Sequence, residues 1–225
     1  MSLAAGSSSE LHGALVDALG ADLVSGRSPA GHVLTLDGLG TQYGVSRSVA
    51  REAVRVLESM GMVASRRRVG ITVQPPEAWH AFDPRLVRWQ LDSGDRAALH
   101  AALHELRRGV EPVAAALAAR RADPHQCRTL AAAVSDMAVH GRTGDAQAYL
   151  LADNAFHRML LEASGNGFFR ALNGLNELIA EDSREPSDRA TIALHDDVAR
   201  AIRERDEAAA EAAMRALVDP PGQAG

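Results

Sequence analysis

The sequence predicts a mainly α-helical protein: an N-terminal unit of three helices and a β-hairpin, then a connector, then an all-α bundle. Three observations carry this reading. Apolar residues recur at three- and four-residue spacing through most of the 225 residues. Strand-like apolar stretches are confined to Met62–Ser65 and Ile71–Gln74. Gly, Pro and Asn punctuate the periodic segments where helices would stop.

The elements follow in order. Leu11, Leu15, Leu19 and Leu23 recur every four positions and predict a short amphipathic helix over Glu10–Ser25. Gly26–Gly31, with Pro29 inside, reads as a loop. A brief helix fits Asp37–Tyr43, capped by Thr35 or Asp37 and stopped at Gly44, which takes positive φ cheaply. Ser46 is a good N-cap for the next helix, which runs to about Met60 with Val49, Ala53, Val54 and Leu57 facing inward. Gly61 ends it. The two apolar stretches that follow flank Arg66-Arg67-Arg68-Val69-Gly70 and predict a hairpin with a basic tip, closed by Pro75-Pro76. A connector over 77–94 holds Trp79, Phe82, Pro84 and Trp89, which suits a linker packed on a domain better than a free tether. Helical segments are then expected near 95–121, 124–140, 144–164, 165–182, 187–205 and 207–218, with no internal repeat.

Composition limits the function classes. With 46% apolar and 24% charged residues the chain is an ordinary soluble globular protein. The lone Cys127 excludes a disulfide framework and a cysteine-based zinc finger. No apolar run approaches the roughly 18–20 residues of a membrane span. Met1–Ser9 has neither a basic nor an apolar leader segment and reads as a tail, so a cytoplasmic setting is expected. The net charge of −5 hides an asymmetry. Residues 38–76 hold six arginines against two glutamates, a net of +4, whereas 77–225 hold 17 arginines against 23 acids, a net of −6. A basic head on an acidic body suits a nucleic-acid-binding part joined to a part with another task.

Within the head, Leu39–Leu57 is a short helix, a glycine-containing turn and a second helix opening on Ser46 and Arg47, which is helix-turn-helix geometry. Arg47, Arg51 and Arg55, spaced i, i+4, i+8, form one stripe on that second helix. Such a stripe alone is often only a solvated face. Its start at a helix N-terminus, with a triple-arginine hairpin following, favours DNA.

In the helical part, Asp153 and His157 lie one turn apart on one helix face, able to grip one metal ion or simply to hydrogen-bond. His195, beside Val198, Ala201 and Ile202 on another amphipathic helix, either joins them as a buried partner, caps its helix or faces solvent. Arg107 either reads a carboxylate through its guanidinium fork or is solvated.

Residues 10–76 resemble the winged helix-turn-helix domain of the GntR family of bacterial transcription regulators. The resemblance rests on Gly44-Val45-Ser46-Arg47-Ser48, Arg51-Glu52-Ala53-Val54-Arg55, Leu57-Glu58, Gly61-Met62-Val63 and the wing with Gly70. It implies DNA contacts from Ser46, Arg47, Ser48 and Arg51 and from the wing tip near Gly70, to which the arginine stripe and the basic hairpin tip add Arg55, Arg66, Arg67 and Arg68. Asp37 and Gly38 stand where family members often carry an arginine, so one contact is missing. Residues 95–219 are similar to the FCD ligand-binding domain of one branch of that family. Here the carrying strings are Glu105-Leu106-Arg107 with Glu111-Pro112, Asp153–His157, Ser164-Gly165-Asn166, His195 with Ala201-Ile202, and Ala212–Arg215.

This second resemblance implies a divalent metal (zinc, nickel or manganese) held by Asp153, His157 and His195. Leu217 stands where a fourth ligand is expected. It further implies a small organic or sugar acid as effector, with Arg107 reading its carboxylate, and a homodimer on a two-fold operator. The expected organisation is a tail at 1–9, the DNA-binding domain at 10–76, a linker at 77–94, the metal, effector and dimerisation domain at 95–219, and a tail at 220–225. The function expected is a transcription regulator, as a repressor, and not an enzyme. The rival is a metal-dependent hydrolase using the same trio, with Glu162 or Asp196 as base, though no nucleophile elbow or phosphate loop supports it.

Overall fold

The computed structural model describes residues 8–93, 96–175 and 189–219. The chain divides into two compact units, Met1–Leu99 and His100–Gly225.

In the first unit, α1 (Ser8–Val24) buries Leu15, Leu19 and Leu23 against α3, with Leu11 half-buried beside them. The helix-turn-helix is α2 (Leu36–Tyr43) and α3 (Arg47–Ser59). Thr35 is the cap of α2: its hydroxyl accepts from the Gly38 N–H at 3.0 Å. Gly44 adopts φ 71 and donates its N–H to the Gly40 carbonyl, a left-handed stop that a side chain would strain. Ser46 caps α3 by accepting from the Val49 N–H at 3.3 Å. The inner face of α3 buries Val49, Ala50, Ala53, Val54 and Leu57, while Tyr43 anchors α2 to α1 by donating its hydroxyl to Asp22 Oδ2 at 2.5 Å.

The wing consists of β2 (Val63–Arg66) and β3 (Gly70–Val73), antiparallel with Val63 opposite Val73 and Arg66 opposite Gly70. A strand that the periodicity does not reveal, β1 (Val33–Leu34), pairs with the outer edge of β3, giving the order β1-β3-β2. Two residues are too few to show alternation; pairing with β3 makes them a strand. This pairing also explains Gly70: a Cβ there would stand 2.9 Å from Val33 Cγ1 and 3.0 Å from the Leu34 oxygen, at φ 114.

The connector is ordered. After a 3-10 turn at Pro76–Ala78 comes α4 (Pro84–Ser93), whose Leu86 and Trp89 belong to the core of the first unit. Trp89 donates its indole N–H to Asp17 Oδ1 at 3.3 Å and lays its ring on Gly20 of α1.

The second unit is helical: α5 (Arg96–Arg121), α6 (Pro124–Thr143), α7 (Ala146–Ala163), α8 (Gly167–Arg170), α9 (Arg189–Glu204) and α10 (Glu207–Val218). Caps in the sequence set the starts of α6, α7 and α10. Asp123 forms a capping box with Gln126 before Pro124, and Asp145 and Asp206 cap α7 and α10. Of the helix expected over 165–182, Gly167–Arg170 is helical and 176–182 lie outside the described residues. Packing of α6 on α7, and of α9 on α6 and α10, buries a core rich in alanine together with Leu130, Met137, Phe156, Leu160, Ile202 and Met214. Small alanine side chains let helix axes approach closely, leaving polar residues in that core enclosed.

Gly20→Val is expected to destabilise the first unit by about 1–3 kcal/mol, because the added carbons occupy the Trp89 ring site. Chemical denaturation followed by tryptophan emission measures it; an unchanged midpoint contradicts the packing of α4 on α1.

Candidate functional site

Two groups of polar residues stand out, one in each unit. In the first, Ser46, Arg47, Ser48, Arg51 and Arg55 are exposed on α3, and Arg66, Arg67 and Arg68 are exposed at the hairpin tip. A groove between α3 and the wing is lined by Arg47, Arg51, Arg55, Arg66 and Arg67. Glu58, near the end of α3, accepts from the Ser65 N–H at 2.7 Å and so fixes the wing to the helix. At the tip, the Val69 N–H closes a turn on the Arg66 carbonyl at 3.1 Å, with Arg68 at φ 68. A left-handed arginine costs of the order of 1 kcal/mol relative to glycine.

Two of the groove cations are held by neighbours. Arg55 pairs with Glu52 at 3.0 Å, and Arg47 with Asp37 at 3.2 Å, all four side chains at least half exposed. Exposed pairs of this kind contribute about 0–1 kcal/mol and exchange readily for a phosphate. Asp37, the departure noted in the sequence, therefore does more than omit a cation: it occupies one.

In the second unit, α7 supplies Asp153 and His157, α9 supplies His195, and α5 supplies Arg107 and Glu111. The i, i+4 spacings of Asp153/His157 and Arg107/Glu111 put each pair on one helix face. His157, His195 and Glu111 are only 3%, 1% and 1% exposed, which excludes solvation as the way their polar atoms are satisfied. His195 is thus neither a cap nor a surface group.

The protons can be assigned from the partners. His195 Nδ1 lies 2.8 Å from the Thr191 carbonyl, and His157 Nδ1 lies 3.1 Å from Glu111 Oε2; both partners only accept, so each Nδ1 carries the proton. Nε2 of each ring is then turned toward Asp153. These two nitrogens stand 3.4 Å apart, and Asp153 Oδ1 lies 3.2 Å from that of His195 and 3.8 Å from that of His157. Two imidazole nitrogens and a carboxylate oxygen thus converge, with Arg107 Nη2 2.9 Å from His157 Nε2.

The charge balance agrees. Burial pushes the Glu111 carboxyl up, but Arg107 and then His157 outweigh it and hold it at about 2. Burial likewise opposes ionisation of Asp153, yet His157, His195 and Arg107 hold it well below the usual carboxylate range. Burial opposes the Arg107 charge too, and Glu111 more than restores it. Glu111 and Asp153 are therefore both ionised beside the permanent cation of Arg107.

The donor set fits a metal. Two imidazoles and a carboxylate suit zinc, nickel or manganese, and bonds of about 2.0–2.1 Å to a tetrahedral ion place ligand atoms roughly 3.4 Å apart. The three separations, 3.2, 3.4 and 3.8 Å, bracket that value. Asp153, His157 and His195 form the one group of three or more potential ligands among the described residues. Neither Glu162 nor Asp196 belongs to it; Asp196 lines a different groove with Arg142 and Arg189. Leu217 is half-buried against the apolar core and offers no donor.

Arg107 lies within the site rather than in solvent. Its Nε donates to Glu111 Oε1 at 2.8 Å and its Nη2 to Oε2 at 3.2 Å. Glu111 is the residue to which sequence reasoning assigned no role; its signal was the four-residue spacing from Arg107. Among the described residues, no helix is long and apolar enough to cross a membrane.

Comparison with known proteins places this geometry in a family. Residues 102–219 match the FCD domain family, and residues 11–73 match the bacterial regulatory proteins of the gntR family. The chain is 30% identical over 186 residues, 81% of each chain, to the uncharacterized HTH-type transcriptional regulator YieP of Escherichia coli K12. It is 27% identical over 212 residues to the galactonate operon transcriptional repressor of the same organism, covering 91% of this chain and 92% of the relative. Among solved structures, Streptococcus agalactiae GntR shares 28% identity with a TM-score of 0.55, covering 92% of this chain and 96% of the other. None of these matches describes a hydrolase. With one family spanning the winged head and the other the helical unit, the chain belongs to the GntR family of DNA-binding transcriptional regulators and carries a C-terminal FCD effector domain.

Proposed function

We propose that the protein is a metal-dependent, acid-responsive repressor: a cytoplasmic homodimer that binds a two-fold operator and responds to a small organic or sugar acid. The observation that carries this reading is the convergence of Asp153, His157 and His195 on one point with Arg107 beside them. Asp153, His157 and His195 would hold a divalent ion, which when bound supplies positive charge and an open coordination position for an effector oxygen. That added charge, beside Arg107, would favour an acid anion. Arg107 supplies the planar fork that recognises a carboxylate. The similarity to a galactonate operon repressor makes sugar acids the first compounds to screen.

At the head, Ser46, Arg47, Ser48, Arg51 and Arg55 would enter the major groove, with Arg66, Arg67 and Arg68 on the flanking backbone or minor groove and Gly70 keeping the wing close to β1. An acid changes operator affinity only by binding the two arrangements of the dimer unequally. The reading is tested by fluorescence anisotropy of a labelled operator duplex, with metal-loaded and chelator-treated protein, titrated with D-galactonate and related acids. Loss of DNA binding on adding an acid, only in the metal-loaded protein, is the expected result. An acid response equal in chelator-treated protein overturns the metal's part in it.

Three substitutions sharpen the test. Arg51→Ala is expected to cost about 1–3 kcal/mol of operator binding without lowering thermal stability. Asp37→Asn is expected to tighten binding several-fold at low salt, because it releases Arg47 and removes a negative charge from the groove. Weaker binding in that variant would show that the pair positions Arg47 for DNA. His157→Ala is expected to abolish stoichiometric metal content by elemental analysis, and wild-type content in it contradicts the site.

A further inference from the structure

Glu111 is an ionised carboxylate enclosed in the second unit, and neither metal nor DNA recognition accounts for it. Its Oε1 accepts from Arg107 Nε at 2.8 Å. Its Oε2 accepts both from Arg107 Nη2 at 3.2 Å and from His157 Nδ1 at 3.1 Å. One carboxylate therefore touches the arginine that reads acids and the histidine that would hold the ion. We propose that Glu111 is a positioning residue that fixes His157 as a metal ligand and couples metal binding to acid binding through Arg107. This rests on the reading of Asp153, His157 and His195 as a metal site.

The geometry around His157 supports it. Arg107 Nη2 is 2.9 Å from His157 Nε2 and 3.1 Å from Nδ1. A donor in the ring plane cannot be nearly equidistant from both nitrogens without colliding with the Cε1 carbon between them. The guanidinium therefore lies over the imidazole face. His157 is held on one edge by Glu111 and on one face by Arg107. The remaining edge, with Nε2, faces Asp153 and His195.

The coupling follows from the shared oxygen. A carboxylate hydrogen-bonded to the far nitrogen of a ligating imidazole orients the ring and raises its basicity. Arg107 draws charge away from that same oxygen. An acid that takes the guanidinium for itself removes that competition from Glu111 Oε2, and the imidazole becomes the stronger donor. Acid binding then tightens metal binding, and by linkage metal binding tightens acid binding by the same factor. Arg107 and Glu111 both lie on α5, whereas the three ligands lie on α7 and α9, so an acid on α5 is felt by a ligand on another helix.

The experiment uses full-length protein stripped with a chelator and titrated with zinc against a competing chromophoric chelator, with the electronic spectrum of the cobalt(II) form as second readout. Glu111→Gln keeps an acceptor for His157 but removes the charge. Arg107→Met combined with Glu111→Gln removes both charges together, which protects folding where a single change leaves a buried ion unpaired. Zinc affinity about 10–100-fold below wild type in either folded variant, with a shifted cobalt spectrum and a metal-free melting temperature near wild type for the paired variant, is the expected outcome. Wild-type affinity and an unchanged spectrum in a folded variant overturn the role of Glu111 while leaving the metal site standing. No zinc on the wild-type protein removes the metal reading itself, and this inference with it. If neither variant folds, Glu111 is a folding residue and the positioning role is equally overturned.

Discussion

The second unit depends on one constraint: ionised carboxylates withdrawn from water, Glu111 fully and Asp153 in part, must be compensated where they stand. Both are charged in the fold, and taking a carboxylate fully from water costs several kcal/mol. Arg107 and the two imidazoles supply the compensation, and they do so only because α5, α7 and α9 bring them within hydrogen-bonding distance. Such a cluster adds little to stability; an apolar set of the same volume would often serve the fold better. The Nδ1 atoms of both histidines are directed outward, to Glu111 and to the Thr191 carbonyl, so both Nε2 atoms are turned toward Asp153.

The head solves a different problem with exposed charge. Its cations need not be buried, since phosphates come to them, and what the fold must provide is register. Caps at Thr35 and Ser46 and the left-handed Gly44 set the angle between α2 and α3. Glu58 ties the wing to α3, and β1 closes on β3. The Arg47–Asp37 pair sets an acid among the cations of the groove.

Much of this was legible in the sequence because the signals are local. A serine before an apolar periodic run, a glycine at its end and a D-x-x-x-H spacing each describe contacts within one turn of helix. Those signals gave α3, its cap and the shared face of Asp153 and His157. What was not legible depends on partners distant in the chain. Val33 and Leu34 are strand only because β3 lies beside them, some forty residues on. Glu111, on a helix among arginines and alanines, reads as a surface acid until α7 brings His157 to it. Trp89 reads as a linker aromatic until Gly20 of α1 offers the gap that its ring fills. Arg107 was identified for its chemistry, but its engagement with Glu111 could not be seen without α5 folded against α7.

The central claim is that two imidazoles and one carboxylate, aimed at a common point, form a metal site in a DNA-binding regulator. The most direct test is a crystal of the full-length protein grown with zinc and measured across the zinc absorption edge. The account predicts one anomalous peak per chain within about 2.0–2.2 Å of His157 Nε2, His195 Nε2 and an Asp153 carboxylate oxygen. A difference map with no peak there at full zinc loading, and the two histidines still hydrogen-bonded as they are in this structure, would contradict it.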